Sequence, residues 1–328
     1  MQFGQLKRRE FITLIGGTAA WPLAASSQDA GQTYRLGGLF PSPREAPQNV
    51  AMFEELARSG FIEGQNLTID WRTYGQRIEL VSQFAAELVK ARVNVIAAGG
   101  DFGIRAAQQE TATIPIIGFT DDMLGSRLVK SLSRPDGNTT GVSLLATELD
   151  GKRQEILIEA VPGLRRMAAL ADVDTTSPRQ LQGLQDAARA RGVELSLYRI
   201  AKAEDIAPAI DSAKVSNAAA LNVLASPLLF ANRPAIIERA ATLRLPAIYQ
   251  WPEVAEEGGF IGYGPRIVQL FRDVLARQLV KVLRGAKPND VPVEQPTRFE
   301  LVINLQTAKA LGHEVPAGLV LRADKVIE

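Results

Sequence analysis

The chain predicts an α/β protein built from two similar, doubly wound parallel-sheet lobes. Three observations lead there. Short apolar runs rich in Val, Ile and Leu alternate with amphipathic runs of about ten to fifteen residues, the spacing of βαβ units. The cycle is repeated in the second half of the chain. Helix punctuation recurs at the joints, as in Pro178 to Gly192 and Pro265 to Gly285, where a proline opens the first turn and a glycine follows the end.

In order, YRLGGLF (34–40) reads as a first strand and NVAMFEELARSGF (49–61) as a helix with Val50, Phe53, Leu56 and Ala57 on one face. LTIDW (67–71) alternates as a strand does, and IELVSQFAAELVKA (78–91) aligns Val81, Phe84, Ala85 and Leu88. VNVIAAGGD (93–101) and PIIGF (115–119) are buried strands. The second half offers RMAALADVD (166–174), a helix over 178–192, VELSLYRI (193–200), a helix over 203–215, AAALNVLASP (218–227), a helix near 233–244 and LPAIYQWP (245–252). A strand from Phe260, a long apolar-striped helix to Gly285 and a final strand and helix complete the chain. TIPIIGFTDD pairs with RLPAIYQWPE as the same unit in the two halves.

Composition narrows the function. Lys and Arg number 37 against 36 Asp and Glu, so no global field favours nucleic acid or an anionic membrane. The absence of cysteine excludes disulfides, thiolate metal sites, cysteine nucleophiles and a lipid-anchoring cysteine. His313 is the single histidine, so no site needing two can form. Residues 1–27 carry a basic Lys7-Arg8-Arg9 region, an apolar stretch from Phe11 to Leu23 and the small residues Ala24-Ala25-Ser26. They are expected to be a secretory signal peptide, of twin-arginine type given the Arg pair followed by Glu10, Phe11 and Ile12. The mature chain is expected to be soluble, periplasmic and monomeric, without direct membrane insertion.

Catalytic motifs are wanting. There is no Walker A run, no G-x-G-x-x-G, no G-x-S-x-G elbow and no zincin motif. A carboxylate pair at Asp121 and Asp122 is open to acid/base work, but neighbours in a strand-end loop diverge, whereas working carboxylates must flank one bond. No cofactor is expected, and the chain reads as a binding protein rather than an enzyme. In open parallel sheets ligands lie beyond the carboxyl ends of the strands. Those ends carry the candidate ligand-binding residues Phe40, Ser42, Gly100, Asp101, Phe102, Thr120, Asp122, Asp174, Thr175, Ser226, Tyr249 and Trp251. The amides at 100–102 suit a carboxylate, Asp122 suits an ammonium, and the aromatic side chains suit a flat group. Asp121 is expected to face solvent.

LVKSLSRPDGNTTGVS (128–143), GFIEGQNLTIDWR (60–72), RLPAIYQWPEVAEEGGFIGYGP (244–265) and LRGAKPNDVPVEQPTRFELVINLQTAKALGHEVP (283–316) closely resemble the ABC-transporter substrate-binding proteins related to tryptophan-binding lipoproteins. The resemblance implies a type I periplasmic-binding fold with a three-crossover hinge, near 141–145, 259–263 and 299–304. It implies lobes over 33–143 plus 260–290 and over 144–259 plus 291–328. It also implies capture of a small organic solute, amino-acid-like or an aromatic acid, for delivery to a membrane permease. Where members of this family usually carry an Asp-Pro-Val run and then Gly-Leu-Val, this chain has Asp122-Met123-Leu124 and Arg127-Leu128-Val129, placing Met123 and Arg127 at the expected cleft rim. Two alternatives share the sequence features: a periplasmic sensor serving a receptor kinase, and an exported α/β hydrolase.

Overall fold

The computed structural model describes residues 32–328. The expected signal peptide, 1–27, lies outside the described residues. The first sheet is built from β1 (Tyr34–Phe40), α1 (Pro47–Arg58), β2 (Leu67–Thr73), α2 (Val81–Lys90), β3 (Val95–Gly99), α3 (Gly100–Glu110), β4 (Ile116–Thr120) and β5 (Thr139–Ser143). Its strands run in the order β2-β1-β3-β4-β5, all parallel. Every residue of β3, β4 and β5 is buried, which explains the apolar runs of β3 and β4, whereas β5 also buries the hydroxyls of Thr139, Thr140 and Ser143.

The second sheet uses α4 (Ala146–Ala160), β6 (Arg166–Asp172), α5 (Pro178–Ala190), β7 (Glu194–Ile200), α6 (Ile206–Val215), β8 (Leu221–Val223), α7 (Pro227–Ala231), α8 (Arg233–Thr242), β9 (Ala247–Tyr249), α9 (Pro252–Glu256) and β10 (Ile261–Gly264). The chain then adds α10 (Ile267–Gln269), a π-helical segment over Leu270–Leu275 and α11 (Ala276–Leu283). It finishes with β11 (Glu300–Asn304), α12 (Leu305–Leu311), α13 (Ala317–Val320) and β12 (Lys325–Ile327). The strand order is β12-β11-β10-β9-β8-β6-β7. The β7-β6-β8-β9-β10 part repeats the winding order of the first sheet, so the sequence repeat corresponds to a repeat of topology. β11 runs antiparallel to β10, because the chain enters it from the opposite side.

The connections between the sheets depart from expectation in detail. Leu144 N bonds Thr120 O and Leu145 N bonds Asp121 O, both at 3.0 Å, before the chain enters α4 through Leu145 in a left-handed conformation. β10 pairs with β9 and β11, so residues 261–264 belong to the second sheet and the return to the first lobe follows Gly264. That return ends in the interrupted helix, which packs against α1 and carries the first-lobe residues Ile267 and Phe271. Residues 293 and 294 still bond to Leu132 and Gly141 of the first lobe, at 2.8 and 2.9 Å, so the third crossover precedes β11. Among the described residues no helix is long and apolar enough to cross a membrane.

Candidate functional site

Both sheets present the carboxyl ends of their strands to one cavity of about 380 Å³, within the range of small-molecule sites. Its lining comes from the β1–α1 loop, the start of α3, the end of β4, Leu144 at the first crossover, the starts of α7 and α8, and the loop after β9. Ile267 and Phe271 close it from the interrupted helix. The π-helical turn there widens the backbone and helps place Phe271 at the cavity wall, a use such turns often have.

The walls are largely aromatic. Phe40 stacks on Trp71 at 5.0 Å between ring centroids, and Phe271 lies 5.7 Å from Phe40 and 4.6 Å from Phe119. Across the cavity, Phe230 meets Trp251 edge-on at 6.0 Å. The β1–α1 loop is fixed from below: buried Asn49 donates to Ser42 Oγ at 3.1 Å and to Pro43 O at 2.7 Å. Tyr74 Oη donates to Gly99 O at 2.7 Å, anchoring the turn into α3. A β-carbon on Gly99 would stand 2.4 Å from the Phe40 ring, and Gly100 adopts φ +71°. Glycine is therefore required where backbone, ring and cavity converge.

Asp121 and Arg233 are the charged lining residues. Arg233 is already satisfied: it grips Glu257 in bidentate fashion at 2.6 and 2.9 Å and lies over the Phe230 ring at 4.3 Å. Asp121 is different. No described side chain donates a hydrogen bond to its half-buried carboxyl group. Desolvation pushes its pKa up to about 7, with Asp150, Asp101 and Asp122 adding to the rise and Arg153 opposing it.

Of the expected site residues, Phe40, Ser42, Gly100, Thr120, Ser226 and Trp251 line the cavity, whereas Asp101, Phe102, Asp122, Asp174, Thr175 and Tyr249 do not. Asp122 is exposed and caps its own turn, accepting from Leu124 N at 3.1 Å and Gly125 N at 2.8 Å. The two aspartates therefore exchange the roles expected of them: Asp121 faces the cavity and Asp122 faces solvent. Asp101 accepts from Thr120 Oγ1 at 2.5 Å behind the lining. Asp174 and Thr175 are exposed, while the preceding Asp172 is buried and bonded to Ser226 Oγ at 2.6 Å. Phe102 is exposed on α3, and Tyr249 is buried in the core. Met123 is not at a rim but fully buried in the first-lobe core, filling the space behind Gly118. Arg127 occupies a left-handed position, φ +55°, which a glycine adopts without strain. Sequence reasoning missed Phe119, Phe230, Arg233, Leu144 and Phe271; only the strand-end positions of Phe119 and Leu144 offered a signal.

The model of the family described as "ABC transporter substrate binding protein" matches residues 48–327. The chain belongs to this family. A curated relative, the "tyrosine-binding protein" of Clostridioides difficile (strain R20291), is 26% identical over 259 residues, 78% of this chain and 74% of the relative. Among solved structures, the domain from Streptococcus pneumonia in complex with L-Trp covers 90% of this chain and 100% of its own at 22% identity and a TM-score of 0.80. A conserved domain protein from Vibrio cholerae covers 90% and 99% at the same identity and TM-score. A ligand-free, open substrate-binding protein from Clostridium difficile covers 90% and 99% at 21% identity and a TM-score of 0.62. The shared architecture is the two-lobed type I periplasmic-binding fold.

Proposed function

We propose that the protein captures an amino acid with an aromatic or bulky apolar side chain between its two lobes, without chemical turnover, and delivers it to the permease of an ABC importer. The observation that carries the reading is Asp121, a carboxyl group with no side-chain donor among the described residues, in the wall of a mostly aromatic cavity. A half-buried anion without a partner is costly, and an ammonium group would satisfy it with a charge-assisted bond. The solute's carboxylate is assigned to the amides at the start of α3 around Gly100, where the helix dipole favours an anion. Its side chain fits between Phe40, Phe119 and Phe271 on one side and Phe230 and Trp251 on the other. The relatives named for tyrosine and found with L-Trp support the same ligand class. Residues 1–27 are proposed to direct export, so that the soluble monomer works outside the cytoplasm.

A thermal-shift screen of the twenty amino acids, sugars and amine-free organic acids tests the reading, since a ligand bound only by the folded state raises the melting temperature. Tryptophan, tyrosine or phenylalanine should give the largest shifts. Shifts confined to sugars, or to acids without an amine, would remove the proposal.

A further inference from the structure

Gln48 is a second polar residue in the cavity wall that the fold leaves unused. It follows Pro47 in the first turn of α1 and is 5% exposed. Its side-chain amide makes no hydrogen bond to any described residue, yet neither amide atom is sealed off by protein. Because Gln48 lines the cavity, the open space beside the amide is the cavity itself. Asn222 makes the contrast: its amide also lacks a described partner, but both atoms are enclosed in the core. Burying a glutamine costs rotamer freedom, and an amide taken from bulk water without a bond is unfavourable.

The other polar side chains of the wall are engaged or partly exposed. Thr120 donates to Asp101, Ser226 donates to Asp172, Ser42 Oγ accepts from Asn49, and Arg233 is held by Glu257. Gln250 is only half-buried. That leaves Asp121 and Gln48, at different ends of the first sheet's edge. Asp121 follows β4 and Gln48 follows β1, with β3 between those strands. Two strand spacings amount to roughly 10 Å. Rings bridge the gap: Phe119 of β4 lies 4.6 Å from Phe271, which lies 5.7 Å from Phe40 at the end of β1. The loop after Phe40 is held by Asn49, the neighbour of Gln48. A solute with its ammonium at Asp121 and its ring along these side chains turns the far edge of that ring toward α1.

We propose that Gln48 is the specificity-determining residue of the cavity, its amide meeting a polar group on the far edge of the solute's ring. The inference rests on the reading of this cavity as an aromatic amino-acid site. An amide both donates and accepts, so it suits a phenol hydroxyl in either sense and an indole N–H through its oxygen. A bare phenyl ring leaves it unpaired. A site built around such a bond rejects the analogue that lacks the polar group more strongly than size alone allows. The protein therefore selects tyrosine, with its ring hydroxyl, over phenylalanine.

Calorimetry with L-tyrosine, L-phenylalanine and 4-methyl-L-phenylalanine, which matches tyrosine in size but not in hydrogen bonding, tests this on wild type and Gln48→Met. Wild type should bind tyrosine about tenfold or more tighter than either analogue. Gln48→Met should lose that preference while binding phenylalanine at least as well as wild type does. Its melting temperature should hold, since the side chain gives up no bond within the protein. If Gln48→Met fails to fold, Gln48→Asn, whose amide is drawn back by one methylene, should lose the same preference. Equal wild-type affinity for tyrosine and 4-methylphenylalanine would overturn the proposal and leave the proposed function standing. An equal loss for all three solutes in Gln48→Met would also overturn it, placing Gln48 on a group they share. Wild type that binds none of the three would remove the proposal together with the aromatic amino-acid reading.

Discussion

Each lobe carries an aspartate near the carboxyl edge of its sheet, and the two have opposite circumstances. Asp172, ending β6, is buried and fully engaged: Ser226 Oγ donates to one oxygen at 2.6 Å and Asp174 N to the other at 2.9 Å. It ties β6 to the start of α7, where Ser226 also accepts from Leu229 N. Asp121, just past β4, lies in the cavity wall with no side-chain donor among the described residues. The first carboxylate completes the fold; the second is left incomplete by it. Because the two lobes share a strand order, this difference arises from local side chains rather than from architecture. A polar group whose hydrogen bonds are left open by the fold is where a ligand's chemistry belongs.

The largest expected effects separate these two carboxylates. Asp121→Asn should weaken a bound aromatic amino acid by tenfold or more, in the range of about 1.5–3 kcal/mol for a charge-assisted bond. It should leave the melting temperature of the free protein unchanged or slightly raised. Asp172→Ala should do the reverse, costing about 1–3 kcal/mol of stability because Ser226 and the Asp174 amide lose a buried acceptor, with affinity retained in the folded fraction. Chemical denaturation and calorimetry on the two variants measure both effects. A loss of stability in Asp121→Asn as large as that in Asp172→Ala would erase the distinction.

Gly99→Ala should be destabilising by about 1–3 kcal/mol, as overpacking usually is, because its β-carbon would press on the Phe40 ring at 2.4 Å. Since that ring also lines the cavity, solute affinity should fall as well. The titration of Asp121 adds a dependence on pH. A proton competes with the solute's ammonium, so affinity should be full above about 7 and fall toward tenfold per unit below it. The free protein should behave in the opposite way. Its folded state holds the Asp121 proton more tightly than the unfolded chain does, so stability should decline as pH rises from about 4 toward about 7. That slope should be flatter in Asp121→Asn. Ser226→Ala should cost about 1–3 kcal/mol, because the buried Asp172 carboxylate loses its hydroxyl donor and α7 its cap, seen as a drop in melting temperature.

Much of this molecule was legible in the sequence. Periodicity marked β2, α1 and α2, and the repeated Pro-strand pattern marked the duplicated winding, since both follow from which face each element buries. α4 was less legible: it buries Asp150, Arg153 and Gln154 ahead of the apolar Ile156, Leu157 and Ala160, and nothing local advertises the polar three. The long helix expected after Pro265 is interrupted by the π-helical turn that presents Phe271, a feature without a residue signature. The site was legible in its location and misread in its contacts. Strand-end reasoning found Phe40, Gly100, Ser226 and Trp251. It expected Asp122 rather than Asp121 in the cavity wall, because which of two adjacent carboxylates turns inward is decided by the tight turn at Leu124 and Gly125 that Asp122 caps. Residues reaching the cavity from helices of the facing lobe, such as Phe230 and Arg233, carry no local sign that they do so.

The central claim is that Asp121 recognises the solute's ammonium. Calorimetric titration of wild type and Asp121→Asn with L-tryptophan and with its deaminated analogue, 3-indolepropionate, tests it most directly. Wild type is expected to prefer tryptophan by tenfold or more, and Asp121→Asn to lose most of that preference while still binding the analogue. A preference for the amine that survives intact in Asp121→Asn would contradict the account.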